Sequence, residues 1–185
     1  MELSNLYTIF HLLGVAFGVG GAFASDSMFL KSLKDLKISK TEMSFLQMGS
    51  VMVWLGLVIL IISGALLFSL DSERYLNSAK FLAKMTIVGI ILLNGLFLHV
   101  NLIPRLRRHI EGHLPSSDEF MRKRPYLFTS GAVSLVSWLS ALILGALHKA
   151  PWSYGEIMGV YLLMLLIAGL VANTIGRRLI SRTRV

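Results

Sequence analysis

Inside the apolar stretches of this chain, side chains able to do chemistry are few. They are His11, Asp26, Lys84, His99 and His148, with Asn94 and Asn173 as neutral companions. An ionisable group in hydrocarbon is costly, so each marks a place where a proton, an ion or a cofactor could be handled. Imidazole suits either haem iron or proton relay near neutral pH. His11 also heads a stripe of small residues. Gly14, Gly18, Gly21 and Ser25 follow it at steps of three, four, three and four, which is one face of a helix. That face is expected to form a flat trough on which a porphyrin could lie, with His11 on the iron. The same glycines would also seat a neighbouring helix, with His11 hydrogen-bonded across the interface.

Something must hold these groups in place, and the composition says what. The chain has 185 residues, 55% hydrophobic and 15% charged, with mean hydropathy +0.69. A soluble domain carries about a quarter charged residues. The apolar residues fall into five blocks, roughly 6–24, 45–70, 81–103, 126–147 and 154–175. Each is near the ~20 residues needed to cross a bilayer. The links between them are short. The expected fold is all-α, a single integral membrane domain over residues 1–185 with five transmembrane helices.

Charge orients the bundle. Lys31, Lys34, Lys37 and Lys40 follow the first span, and Arg105, Arg107, Arg108, Arg122, Lys123 and Arg124 lie between the third and fourth. Arg177, Arg178, Arg182 and Arg184 end the chain. With five spans, these fourteen of the eighteen Lys and Arg fall on one side. Positive loops stay cytoplasmic, so the N-terminus is expected outside and the C-terminus inside. The net charge of +8 is thereby explained by anionic lipid headgroups, with no nucleic-acid role. The absence of cysteine excludes disulfides, iron–sulfur clusters and thiolate chemistry.

Depth then sorts the polar groups. His11 lies ~9 Å below the outer edge by helical rise, with Lys84 and His148 near the same level. Asp26 and His99 lie near the inner ends of the first and third spans, where Arg105 is close in sequence. The first and third spans run parallel, so His11 and His99 should differ in height by ~15 Å and cannot ligate one iron. His148 is the natural outer partner of His11. Its helix carries Ser134, Ser137, Ala141 and Gly145 on one stripe, which favours an inward orientation.

Plainer roles stand beside these. Lys84 could snorkel to the outer headgroups. Asp26 is expected to cap or end the first span, paired with Lys31 or water. His109 and His113 have metal-site spacing, but Glu111 falls on another face and a solvated loop is expected. The nine methionines are scattered, as core filler would be. Small residues at Gly49, Gly56 and Ser63, and at Gly155, Gly159, Gly169 and Gly176, are expected to seat helices in the second and fifth spans.

The first span, HLLGVAFGVGGAF from His11, resembles the first helix of bacterial membrane-bound protoporphyrinogen oxidases of the HemJ type. The third span opens KFLAKMTIV, similar to the aromatic-Leu-x-x-Lys start of that family's third helix, and Ser63-Gly64 also fits. The likeness extends loosely to copper-resistance D-type membrane proteins. The chain departs where Phe17-Gly18-Val19 replaces the usual tryptophan, where Asn94 replaces a mid-helix histidine, and in having a fifth span.

This resemblance implies haem b as cofactor. His11 would be a ligand, and Lys84 would partner a propionate or porphyrin carboxylate. It also implies a redox role, electron transfer or porphyrin oxidation, in a bacterial inner membrane. Quinone or porphyrin would be the small-molecule partner, and a homo-oligomer is compatible with it. With the glycine stripe and the depth of His148 added, the expected cofactor-binding set is His11, Gly14, Gly18, Lys84 and His148, with His11 and His148 on iron. The alternative expectation is a small transporter or channel for an ion or solute, marked by His11, Lys84, Asn94 and His99. Asn94 and His99 are turned away from each other, which argues against a continuous polar file on that helix.

Overall fold

The computed structural model describes residues 3–35, 39–101, 103–108, 118–148 and 151–182. The described elements are all helical: α1 (Leu3–Asp35), α2 (Lys40–Leu70), α3 (Ser72–Leu76), α4 (Ala79–Asn101), α5 (Ile103–Arg108), α6 (Asp118–Ala146) and α7 (Tyr154–Arg182). Five are long and apolar enough to cross a membrane, over Leu3–Ser32, Lys40–Leu70, Ala79–Asn101, Pro125–Ala146 and Tyr154–Arg178. These are the five blocks of the sequence with most ends longer, though the third and fourth stop two residues and one residue earlier than expected, at Asn101 and Ala146. A helix satisfies its own backbone groups whether or not its side chains are apolar, so it runs past the hydrocarbon limit. Lys31 accordingly belongs to α1 rather than to a loop.

Local signals set the helix starts. Ser39 and Glu42 form a capping box at α2, with Glu42 N–H donating to Ser39 Oγ and Ser39 N–H to Glu42 Oε2 at 3.0 Å. Ser153 and Glu156 do the same at α7. Asp71 accepts from Arg74 N–H to start α3, and Ser78 Oγ accepts from Phe81 N–H in the first turn of α4.

The closest helix pair is α1 with α2, followed by α6 with α7 and α4 with α6, and α1 also touches α6. Between the α1–α2 pair and α4 runs a seam filled by Ala22, Leu57, Ala83, Ile87, Ile91 and Trp138, all buried. At one end, Met28 and Phe29 meet Met43, Leu46 and Ile103, and the Phe29 and Phe128 rings lie 6.3 Å apart. Lys31, Lys40 and Arg107 belong to this end, called here the basic end. At the opposite end Phe68, Tyr75 and Phe81 cluster, with centroids 5.1–6.2 Å apart. Large apolar side chains such as Leu12, Ile62, Leu93 and Leu170 cover the outside. In water such a surface would aggregate, whereas in hydrocarbon it is solvated.

Candidate functional site

The glycine face of α1 is not an open trough. Gly14 lies against α2, where an added Cβ would come within 3.0 Å of Leu60 and 3.1 Å of the Gly56 carbonyl. A Cβ on Gly18 would strike the Trp138 ring, and one on Gly21 would be 2.8 Å from the Gly49 carbonyl. Reciprocally, a Cβ on Gly56 would sit 2.5 Å from Gly18 N, and one on Gly49 would collide with Ser25 Oγ. The stripe on α1 and the Gly49, Gly56, Ser63 series on α2 are two halves of one contact, made by backbone approach. Gly14 and Gly18 therefore seat α2 and the Trp138 ring in this structure, which occupy the face expected for a porphyrin.

His11 stands at the end of that contact remote from the basic end. Its Nδ1 lies 3.0 Å from Ser63 Oγ, and its ring packs over Gly64, where a Cβ would be 3.5 Å from Cε1. Ser63 Oγ also lies 2.6 Å from the Ile59 carbonyl. A hydroxyl has one proton, which goes to that carbonyl, so the Ser63 oxygen accepts from Nδ1–H of His11. The neutral imidazole then carries its lone pair on Nε2. Lys84, on α4 across the seam, is close enough to act electrostatically on the ring. Its neighbour Lys80 instead donates to the Leu147 carbonyl at 2.5 Å, tying α4 to the end of α6.

His148 lies past the end of α6 and is exposed. The small-residue face of α6 does not carry it inward, because the helix ends two residues earlier. That face is spent on other contacts. Ser137 donates to the Val133 carbonyl and so accepts from Tyr161 O–H at 2.8 Å. On α7, Gly176 lies against Phe128, but a Cβ on Gly155, Gly159 or Gly169 would meet nothing within 4 Å. Among the described residues, those three glycines do not seat a helix.

A second polar group gathers toward the basic end. Asp26 does not end its helix, since α1 continues to Asp35. Its Oδ2 is buried and has no hydrogen-bond partner, as is true of Ser25 Oγ. Both residues line a cavity of about 90 Å³ between α1, α2, α4 and α6. Ser50, Asn94, His99 and Ser134 share its walls. Asn94 and His99, expected to diverge, both reach it because it spans more than one helix face of α4. Asn94 is already engaged, donating from Nδ2 to the Ser130 carbonyl at 3.0 Å and accepting from Ser130 Oγ at 2.5 Å. Asn173 donates to Thr129 Oγ1 at 2.9 Å, an α7–α6 tie.

Sequence reasoning missed Ser63 as the partner of His11, and Ser25, Ser50 and Ser134 around Asp26. The matched seven-residue spacing of Gly49, Gly56 and Ser63 was the available signal for the first. His109, Glu111 and His113 lie outside the described residues, as does the contact region of the Arg105 side chain. Among the described residues no group of three or more His, Cys, Asp or Glu could hold a metal ion. No protein-family model, curated protein or solved structure matches the chain.

Proposed function

We propose that this chain is an integral membrane protein that binds b-type haem through His11 and serves a redox role, electron transfer or porphyrin oxidation. One observation carries the reading: His11 Nδ1 lies 3.0 Å from a Ser63 hydroxyl that is itself 2.6 Å from the Ile59 carbonyl, from which we infer an Nδ1–H donor and an Nε2 lone pair left for iron. A hydrogen-bonded second nitrogen is the usual device for fixing the tautomer and raising the basicity of a ligating histidine. Lys84, across the seam, supplies a cation for a porphyrin carboxylate. When bound, haem supplies one-electron chemistry.

The protein's own contribution is to hold the imbedded imidazole, present a cation beside it and exclude water with the apolar seam. Gly14 and Gly18 drop out of the binding set, because α2 and Trp138 occupy their face. His148 is exposed past the end of α6, so the reading rests on a single histidine. The orientation that puts this site on the outer side follows from the charge distribution alone.

Optical spectroscopy tests it. Protein purified from haem-sufficient cells in mild detergent is expected to show a Soret band that moves on dithionite reduction. His11→Ala is expected to lose most of it, while His148→Ala keeps it. A second reading, a small transporter or channel for an ion or solute, is favoured by the cavity at Asp26, which places Ser25, Asp26, Asn94 and His99 in a largely apolar setting away from His11. Colourless protein that also fails to take up haemin would favour that second reading.

A further inference from the structure

The cavity beside Asp26 makes no use of His11 and calls for its own account. An ionised carboxylate buried without a partner keeps nearly the whole cost of leaving water, so such a group carries a proton or a counter-ion. Among the described residues no cation faces Asp26. Among the described residues the titratable groups on the cavity walls are Asp26 from α1 and His99 from α4, and α2, α5 and α6 contribute none.

The space is sized for water. One water needs about 10–15 Å³ of such space, so 90 Å³ holds several. Ser25 Oγ, which lacks a partner, and the Ser50 and Ser134 side chains on the walls offer those waters polar neighbours. A divalent cation would find only one carboxylate among the described lining residues, a poor oxygen cage.

His99 lies on both the cavity wall and the surface of the bundle. It stands in the last turn of α4, is exposed, and also lines the cavity. Trp54 holds its ring edge-on, with centroids 6.2 Å apart and planes at 84°. Imidazole can take a proton on one nitrogen and release another from the second, which is relay chemistry. Away from the basic end, the buried Leu57, Ala83 and Ile87 close the seam between this cavity and His11.

We propose that Asp26 is a proton-binding site, loaded from the basic end of the bundle by His99 through cavity water. In the loading step His99 accepts a proton from solvent at one ring nitrogen and gives up the proton on the other to cavity water. That water passes a proton to Oδ2 of Asp26, and the carboxylate becomes a neutral acid. Release runs the same transfers in reverse, and no electron moves. The apolar seam makes the site one-sided. This inference is independent of the haem reading, since it rests on different side chains at the other end.

Infrared difference spectroscopy on haem-free protein in lipid nanodiscs tests it. Native protein is expected to show a protonated carboxylic-acid C=O band that shifts in D2O and disappears as pH is raised. Asp26→Asn should lack the band, and Asp26→Glu should restore one at a displaced frequency. His99→Ala should keep the band but slow its appearance after a pH jump by about tenfold. Absence of any such band from native protein would overturn the proposal, as would its persistence in Asp26→Asn. Loss of the band on adding sodium at fixed pH would overturn it in favour of a cation site. If Asp26→Asn does not fold, the native D2O shift, the sodium test and the kinetics of His99→Ala still decide the matter.

Discussion

Nδ1 of His11 lies 3.0 Å from Oγ of Ser63, and that hydroxyl is itself committed to the Ile59 carbonyl one turn back. Two helices thereby choose the tautomer of one imidazole. The bond also closes the α1–α2 contact at the end where glycine gives way to polar side chains.

Ser63→Ala removes the acceptor and leaves the Nδ1–H without its partner. In haem-free protein labelled with [15N]histidine, the His11 signal is expected to change from the Nδ1–H form toward the Nε2–H form. Haemin affinity is expected to fall by about 10–100-fold, the usual effect of losing such a partner. An unchanged tautomer would show that Ser63 does not select it.

Glycine substitutions should divide by what stands opposite. Gly56→Ala would press a methyl against the backbone of Gly18, 2.5 Å from its nitrogen, and helices cannot yield as a side-chain tip can. It is expected to cost about 1–3 kcal/mol or more. Gly159→Ala faces open space and, by removing a helix-interior glycine, should be neutral or mildly stabilising. Unfolding in mixed micelles, followed by circular dichroism, separates the two. Equal destabilisation would contradict the packing described here.

Asn94 and Ser130 exchange two hydrogen bonds between α4 and α6. Bonds of this kind in membrane bundles average about 0.6 kcal/mol, so Asn94→Ala is expected to cost about 1–2 kcal/mol. A double-mutant cycle with Ser130→Ala, read in the same unfolding assay, should give a clear coupling energy. Additive single effects would mean that the pair does not act as a unit.

Much of the fold was legible because a helix long and apolar enough to cross a bilayer shows itself by length and polarity. The five apolar blocks survive as five long helices, and only their ends moved, since helical backbone bonding does not stop where hydrocarbon does. The site was less legible for a specific reason. A face of Gly14, Gly18 and Gly21 has the same spacing whether a ring or a helix lies on it, and only the partner's position separates the cases. The partner was α2, whose Gly49 and Gly56 answer those residues. Asp26 misled in another way: it stands where apolar residues thin out, which looks like an end, yet α1 continues. His148 was assigned by depth and face, but the helix stops before reaching it.

The most direct test of the central claim is a haemin titration of purified apo-protein, native against His11→Ala, monitored through the Soret band before and after dithionite. Native protein is expected to saturate with a band that shifts on reduction, while His11→Ala gives only the broad absorbance of free haemin in detergent. Identical titrations for the two proteins, or no specific band in either, would contradict haem ligation by His11.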